Sequence, residues 1–276
     1  MKVKKAIIKT GIFIFVLFII IISVAPLLWV LLSSFKTNRE ILGGGLGLPA
    51  VFSMKNYTDA LKLAPITQFY INSILVAVVS TAASVLLFGM GAYVLGHFEW
   101  KFKNVFRTLF SLGLLIPGAA LLQPLYQTFT STNLNDSLSG LILVYMAFGL
   151  PTTIYIMSSY FQTIPKELEE SAYLDGAGFF KTFIRIILPI AKPAMGTAGV
   201  LQFLLSWNEF QFALTLTTSN TKRTLPIALY YFKSQFASNY GAMFAATIMV
   251  VIPSIIVYIL LQEQVVSGLS AGAVKS

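Results

Sequence analysis

The sequence predicts an all-α membrane protein with six transmembrane helices and a short cytoplasmic helix between helices 4 and 5. Of its 276 residues, 57% are hydrophobic and only 11% are charged, whereas soluble domains carry about 25% charged residues. The mean hydropathy is +0.80. Too few polar side chains remain to cover a globule of this size, so we expect lipid to be the solvent for much of the surface.

Six apolar runs are each long enough to cross a bilayer as a helix. They span residues 11–32, 67–95, 105–127, 139–161, 193–215 and 243–262. The first run follows the basic segment MKVKK, as in a signal peptide, but it exceeds the roughly 7–15 apolar residues of a signal core. Pro26 would also block cleavage after Ala25. We therefore predict an uncleaved anchor. Prolines within or beside the runs allow kinks: Pro26, Pro117, Pro124, Pro151 and Pro253.

The distribution of Lys and Arg predicts that both termini are cytoplasmic. In that orientation the inner segments carry twelve Lys and Arg residues and the outer segments carry seven, in agreement with the positive-inside rule. A formal net charge of +9 could also suggest nucleic acid. Because the basic residues lie between apolar runs, a topological role is favoured and no nucleic-acid partner is expected.

Few side chains within the predicted spans could carry chemistry, and Glu209 is the clearest ionisable one. A carrier driven by protons or sodium usually needs buried carboxylates or broken helices near the midplane, so a self-contained secondary sugar carrier is the weaker alternative. A membrane enzyme or a His-based metal site is disfavoured, since there is no cysteine and only one histidine. That residue, His97, is expected at the cytoplasmic edge and is assigned no role. The tail is not a phosphate-binding loop, because two residues separate Gly272 from Lys275.

The segment 163–192, between the fourth and fifth spans, predicts a short cytoplasmic helix over about residues 166–175. A proline at the first helical position and three glutamates favour its start, and two glycines favour its end. These residues are Pro165, Glu167, Glu169, Glu170, Gly176 and Gly178. We expect the small and apolar side chains of this helix to be available to a partner: Leu168, Ala172 and Leu174.

This segment resembles the EAA loop of ABC importer permeases, with the pattern E-A-A, three residues, G, nine residues and I-x-L-P. The matching residues are Glu170, Ser171, Ala172, Gly176, Ile186, Leu188 and Pro189. The one departure is Ser171, a small residue in place of an alanine. The resemblance implies that this is a coupling helix. It would dock in a groove of the ATP-hydrolysing subunit and transmit the closure of that subunit. The implied coupling residues are Glu167, Glu170, Ser171, Ala172, Asp175, Gly176, Leu188 and Pro189.

Three further motifs resemble the carbohydrate branch of this family, in particular the smaller permease of maltose-type importers. They are SWNEF at 206–210, RTLPIAL at 223–229 and GLSAGAVKS at 268–276. The resemblance implies one permease domain, 1–276, in the bacterial cytoplasmic membrane, which moves a carbohydrate by alternating access and catalyses no reaction. The implied partners are a second permease in a heterodimer, an ABC ATPase dimer and an extracytoplasmic sugar-binding protein. ATP and Mg would sit on the ATPase subunits, and no cofactor on this chain.

Four residues near the outer end of the fifth span are candidates for the substrate pathway: Trp207, Asn208, Glu209 and Gln211. A sugar needs hydrogen bonds to its hydroxyl groups and an aromatic face for its apolar side. Alternatively, Glu209 makes a structural hydrogen bond between helices, and the sequence does not decide between the two. The 216–242 loop should face outward, beneath a binding protein or as an aromatic belt. Its aromatic residues are Tyr230, Tyr231, Phe232 and Tyr240.

Overall fold

The structure is a computed structural model that describes residues 2–44, 47–230 and 239–273. Every regular element within these ranges is helical, so the predicted all-α class is confirmed. The helices are α1 Lys2–Ser33, α2 Asn38–Leu42, α3 Lys55–Leu63, α4 Ile66–His97, α5 Lys103–Leu115, α6 Gly118–Ser131, α7 Leu138–Phe161, α8 Glu167–Leu174, α9 Phe179–Ile190, α10 Lys192–Asn208, α11 Gln211–Leu216 and α12 Tyr240–Ala273. The last three residues of the tail motif, and Tyr231 and Phe232 of the aromatic loop, lie outside the described residues.

Four helices in the described part of the chain are long and apolar enough to cross a membrane alone. They are Ile8–Ser33 within α1, the whole of α4 and α7, and Tyr240–Leu260 within α12. Two bent pairs bring the number to six if each pair is one span: α5 and α6 meet at 94°, and α9 and α10 meet at 80°. The predicted third span therefore exists as a broken segment. The second pair bends at Ala191, just before the predicted fifth span, and joins the segment ahead of that span to its first part.

The bend in the predicted third span has a local cause, and the predicted fifth span is itself interrupted at Glu209. In the third, Ile116 adopts an extended backbone (φ −79°, ψ 115°) directly before Pro117, because the proline ring disfavours the helical conformation of the residue that precedes it. In the predicted fifth span, 193–215, α10 ends at Asn208 and Glu209 is extended (φ −69°, ψ 128°). The prolines Pro26, Pro151 and Pro253 lie inside helices instead.

The chain forms two compact units, of which the first comprises Met1–Ile66 and Ala228–Ile252. Within it, the Asn56 amide donates hydrogen bonds to the backbone carbonyls of Ser34 and Lys36, both at 2.8 Å. The edge of Trp29 meets the ring of Phe244, with centroids 5.1 Å apart. The connection after α1 is thus fixed by polar contacts to backbone groups that the end of the helix leaves available.

The second unit comprises Thr67–Ile227 and Pro253–Ser276, and an aromatic cluster lies near one end of it. At its centre is the fully buried Tyr93 of α4. Five rings surround Tyr93 with centroids 5.1–5.7 Å away, in the range of favourable aromatic pairs: His97, Phe98, Phe161, Phe179 and Phe183. This cluster packs the beginning of α9 against the ends of α4 and α7.

Close contact between α7 and α10 depends on Gly149. The buried Gln202 amide of α10 lies against it and donates hydrogen bonds to the Tyr145 carbonyl (3.0 Å) and the Ser206 hydroxyl (3.2 Å). A Cβ atom added at Gly149 would lie 1.5 Å from Gln202 Oε1. A side chain at this position would therefore displace the amide and break its hydrogen bonds.

We expect Gly149→Ala to destabilise the second unit by about 1–3 kcal/mol through overpacking. The measurement is the melting temperature of the detergent-purified protein. Gly199→Ala, on α10, is a matched control because its Cβ would meet only Val85 and Thr81 at 3.7 and 3.8 Å. Equal melting temperatures for the two variants would contradict the close contact.

Candidate functional site

The short helix predicted between the fourth and fifth spans is confirmed as α8, Glu167–Leu174, with Lys166 and Asp175 as its caps. Its first turn carries three glutamates, whose negative charge is favourable at the positive end of the helix dipole. Pro165 precedes the helix by two residues and does not occupy its first position as predicted. The boundaries otherwise agree with the sequence to within one residue at each end.

Gly176 ends α8 in a Schellman motif. Its φ is +77°, its N–H donates to the Tyr173 carbonyl (3.0 Å), and the N–H of Ala177 donates to the Ala172 carbonyl (2.9 Å). Glycine is the residue that adopts this left-handed conformation without steric cost. A Cβ atom at Gly176 would meet nothing within 4 Å. The constraint at this position is therefore conformational, and the surrounding surface is open.

The exposed side of α8 carries most of the predicted coupling residues. The exposed coupling residues are Glu167, Glu170, Ser171, Asp175 and Gly176. Leu168 and Leu174, which were expected to be available to a partner, are exposed beside them. Leu174 is 88% exposed. The Ser171 hydroxyl donates to the Glu167 carbonyl at 2.8 Å, so it is used inside the helix.

Ala172 is buried, which corrects the expectation that it is available to a partner. It shares the inner face of α8 with Glu169, three residues earlier, because residues at i and i+3 lie on one side of a helix. The remaining predicted coupling residues lie at the end of α9. Leu188 is half-buried against the hydrophobic core that contains Tyr93, and Pro189 is exposed.

A buried ion pair joins α8 to α4, and sequence reasoning missed it. Nε2 of His97, the last residue of α4, lies 3.2 Å from Oε2 of Glu169, and the two side chains are 3% and 7% exposed. His97 Nδ1 lies 3.2 Å from the Phe161 carbonyl. No spacing rule connects a histidine at the end of a span with a glutamate 72 positions later, so neither residue alone signalled the contact.

The chemistry of the His97–Glu169 contact depends on which atoms carry protons. A carbonyl only accepts hydrogen bonds, so Nδ1 must be the protonated nitrogen of the neutral ring. A favourable contact between Nε2 and the carboxyl group then needs a second proton, on either partner. Burial raises the pKa of the Glu169 carboxyl group, which favours keeping that proton. The inner face of α8 is thereby held to the end of α4.

Glu209, the first candidate for the substrate pathway, joins three segments. Its Oε2 accepts hydrogen bonds from the Tyr145 hydroxyl (2.8 Å) and the Ala213 N–H (2.9 Å), and Oε1 accepts one from the Phe212 N–H (2.8 Å). The carboxylate thus caps the start of α11 and attaches it to α7. Glu209 therefore makes the structural hydrogen bond between helices that was one of the two alternatives for this residue. Both of its carboxylate oxygens accept hydrogen bonds within the chain.

The other three pathway candidates differ in exposure. Trp207 is buried, and its ring stacks on Phe203 with centroids 5.6 Å apart. Asn208 and Gln211 are exposed. The Asn208 side chain accepts a hydrogen bond from the Ser254 hydroxyl at 3.0 Å. Within this chain, then, Asn208 and Gln211 present polar groups outward, whereas Trp207 is enclosed.

We expect Glu209→Gln to lower stability by about 1–3 kcal/mol, since the new amide NH₂ replaces one oxygen and cannot accept from the backbone N–H group that faces it. Tyr145→Phe removes one hydroxyl and leaves the cap intact, so its cost should be about 1 kcal/mol. Melting temperature and substrate uptake are measured together. If Glu209→Gln melts like the unmodified chain but loses uptake, Glu209 acts on the substrate and not on the fold.

The beginning of the predicted outer loop is held by side chains of the second unit. Asn72 of α4 donates to the carbonyls of Thr221 (3.0 Å) and Arg223 (2.8 Å). The Ser73 hydroxyl accepts from the Leu225 N–H at 2.7 Å. The RTLPIAL motif therefore starts in a segment fixed to α4, and Tyr230 beyond it is exposed. Among the described residues, no three His, Asp or Glu side chains cluster as metal ligands.

Known proteins resemble the chain in sequence and in fold. Residues 86–269 match a family model described as "Binding-protein-dependent transport system inner membrane component". The chain is 35% identical to the probable ABC transporter permease protein YurM of Bacillus subtilis, over 97% of this chain and 89% of that protein. It is 34% identical to the diacetylchitobiose uptake system permease protein NgcG of Streptomyces coelicolor, over 92% and 85% of the two chains.

A solved structure has the same fold. It is a bacterial ABC transporter involved in the import of the acidic polysaccharide alginate, and one of its chains matches with a TM-score of 0.81. The match covers 94% of this chain and 97% of that chain at 24% sequence identity.

Proposed function

Because the chain belongs to the family of binding-protein-dependent transport system inner membrane components, we propose that it is the membrane-spanning permease subunit of an ATP-driven carbohydrate importer. It would span the bacterial cytoplasmic membrane with both termini inside, as one permease domain over 1–276. The carbohydrate class is supported by the diacetylchitobiose relative and by the motifs SWNEF and RTLPIAL.

The observation that carries this proposal is the exposed surface of α8. An apolar side chain as exposed as Leu174, beside the acidic residues Glu167 and Glu170, suits a protein partner better than water alone. In the proposed assembly this surface docks on an ATPase subunit. A dimer of ATPases would hold the ATP and Mg and hydrolyse the nucleotide, while this chain supplies no catalytic residue.

Movement of α8 would reach the spans through two connections. The inner face of α8 is joined to α4 by the His97–Glu169 pair, and the following α9 is packed against the Tyr93 cluster. Closure of the ATPases would therefore shift the ends of α4, α7 and α9 together. Alternating access between inward-facing and outward-facing states is the expected result of such a two-state assembly.

The substrate pathway would lie between this chain and a second, related permease. Asn208 and Gln211 are the exposed polar groups proposed to contact sugar hydroxyls, and Trp207 and Glu209 would hold the surrounding helices in position. A sugar-binding protein would deliver the substrate at the outer side, near the loop that begins at residue 216.

The test is uptake of radiolabelled disaccharides, diacetylchitobiose among them, into vesicles. The complete assembly is reconstituted with the proposed second permease, ATPases and binding protein. We expect uptake to require ATP inside the vesicles and every component. Uptake by this chain alone, driven by a proton or sodium gradient, would instead establish a secondary carrier.

A further inference from the structure

A cavity of about 470 Å³ opens in the second unit, where the end of α4, the start of α5 and the segment after α7 meet. It includes none of the pathway candidates and borders the start of α8 through Lys166. The polar side chains that line it and matter here are Glu99, Lys103, Asn104, Arg107, Gln162 and Lys166. Three of these are cations and one is an anion, so the lining carries a net charge of about +2 at neutral pH, with His97 counted as neutral.

The single carboxylate of this lining is already paired. Lys103 Nζ lies 2.7 Å from Glu99 Oε1, and the Glu99 side chain is largely exposed. Neither Arg107 nor Lys166 makes an ion pair within 4.0 Å in the part of the chain that the structure describes. Arg107 is therefore available to an anionic ligand. The charge of Lys166 also acts on Glu99, but without an ion pair, so Lys166 can contact the same ligand.

The remaining lining groups are also hydrogen-bond donors. Asn104 and Gln162 contribute side-chain amides. The α-helical part of α5, Lys103–Leu112, starts at the cavity, and no side chain caps its first turn. Backbone N–H groups at such a helix start attract anions, and phosphate above all. Guanidinium, ammonium and amide groups together fit a ligand with several charged oxygens.

The residues around the cavity indicate that the anionic ligand is a lipid headgroup. Along α5, from the cavity toward the C-terminal end of the helix, one side carries exposed apolar residues: Val105, Phe106, Leu109 and Leu112. Trp100 packs beside Phe106 at the same end, with centroids 5.3 Å apart, and tryptophan is enriched at the level of lipid headgroups. Because α5 and α6 together form a candidate span, the cavity lies at a membrane interface with an apolar face directly below it.

We propose that this cavity binds the headgroup of an anionic phospholipid. Arg107 and Lys166 contact the phosphate, and the acyl chains lie along the exposed apolar side of α5. Basic pockets between membrane helices on the cytoplasmic side are suited to such headgroups. Lys166 is the N-cap of α8, so a bound headgroup connects the start of α8 to α5.

The test compares lipid binding by the delipidated, fully assembled transporter in native mass spectrometry. Phosphatidylglycerol is titrated against phosphatidylcholine for the unmodified assembly and for the double variant Arg107→Gln/Lys166→Gln. We expect the double variant to bind phosphatidylglycerol at least roughly tenfold more weakly at one site, given about 1 kcal/mol for each basic residue at the surface. Phosphatidylcholine binding should not change.

Two controls separate this site from general charge effects and from misfolding. Lys101→Gln/Lys181→Gln also removes two exposed cations but leaves the cavity lining intact, so it should keep the phosphatidylglycerol preference. The single variant Arg107→Lys retains the positive charge and should keep most of the phosphatidylglycerol binding. Equal losses in both double variants would overturn the proposal.

A third arm distinguishes a lipid from a soluble anion. Inorganic phosphate and glycerol 3-phosphate are added at millimolar concentration to the phosphatidylglycerol-bound assembly. We expect neither to displace the lipid, because they lack the acyl chains that contact α5. Displacement by either compound would overturn the lipid assignment and make this a site for a soluble phosphate. The absence of any phosphatidylglycerol preference in the unmodified assembly would overturn it equally.

Discussion

Gly176→Arg should abolish ATP-dependent uptake while the chain still folds and inserts. The space around a Cβ atom at this position is open, so the side chain itself meets no obstacle within the chain. A cation at the C-terminal end of α8 is also compatible with the helix dipole. The new side chain would project from the end of the surface proposed to dock on the ATPase. We expect uptake to fall to background and the ATPase no longer to co-purify.

Gly176→Asn separates the bulk of the arginine from backbone strain. The left-handed conformation at φ +77° costs most residues roughly 1–2 kcal/mol, but asparagine adopts it more readily. The asparagine variant should therefore retain most of the uptake. If Gly176→Arg transports and binds the ATPase normally, α8 is not the docking helix. If both variants lose uptake equally, the loss comes from the backbone conformation at residue 176 and not from the bulk of the arginine side chain.

Breaking the His97–Glu169 pair should have the second largest effect. His97→Leu leaves the Glu169 carboxyl group buried without the partner that the structure gives it, and Glu169→Leu leaves Nε2 of His97 in the same condition. Each loss should cost about 1–3 kcal/mol for an unsatisfied buried group, and up to about 5 if that group is charged. Because the pair attaches α8 to α4, uptake should fall in both single variants while their ATPase subunits still hydrolyse ATP.

The double variant His97→Leu/Glu169→Leu tests whether the two residues act as a pair. Replacing both partners by apolar groups removes the buried polar atoms together, which is often nearly neutral. We expect its melting temperature to lie above that of either single variant, and uptake to recover in part. Additive losses in the double-mutant cycle would mean that the contact contributes nothing of its own.

The parts of the fold that the sequence predicted depend on local signals. The length of an apolar run places α4, α7 and the apolar part of α12 to within a few residues, except that α12 continues beyond its predicted end. A glycine in a cap position likewise fixes the end of α8. The break in the third span could not be predicted from local signals alone. Pro117 is one of five prolines within or beside the apolar runs, and it is the one of the five that interrupts its helix in the structure. Pro117 lies between two short amphipathic segments, and hydropathy alone does not distinguish such a proline from one inside a continuous helix.

The site residues divide in the same way. The exposed side of α8 followed from a motif with fixed spacing, whereas its inner side depends on a contact between residues 97 and 169 that only the tertiary structure creates. Ala172 was misplaced for this reason, because the sequence shows that a residue is small and apolar but not which side of an eight-residue helix is covered. Glu209 was recognised as important, but the two N–H groups that it caps belong to a helix, α11, that hydropathy had merged into the fifth span.

The exposed apolar side chains around α8 also affect the fate of a newly made subunit. Leu168, Tyr173 and Leu174 of α8, and Phe180 and Ile184 of α9, are exposed in this chain. Until assembly such a surface is a recognition site for chaperones and membrane proteases, which remove chains whose hydrophobic groups stay uncovered. The cellular amount of this subunit should therefore follow the supply of its ATPase, with surplus copies degraded and not accumulated.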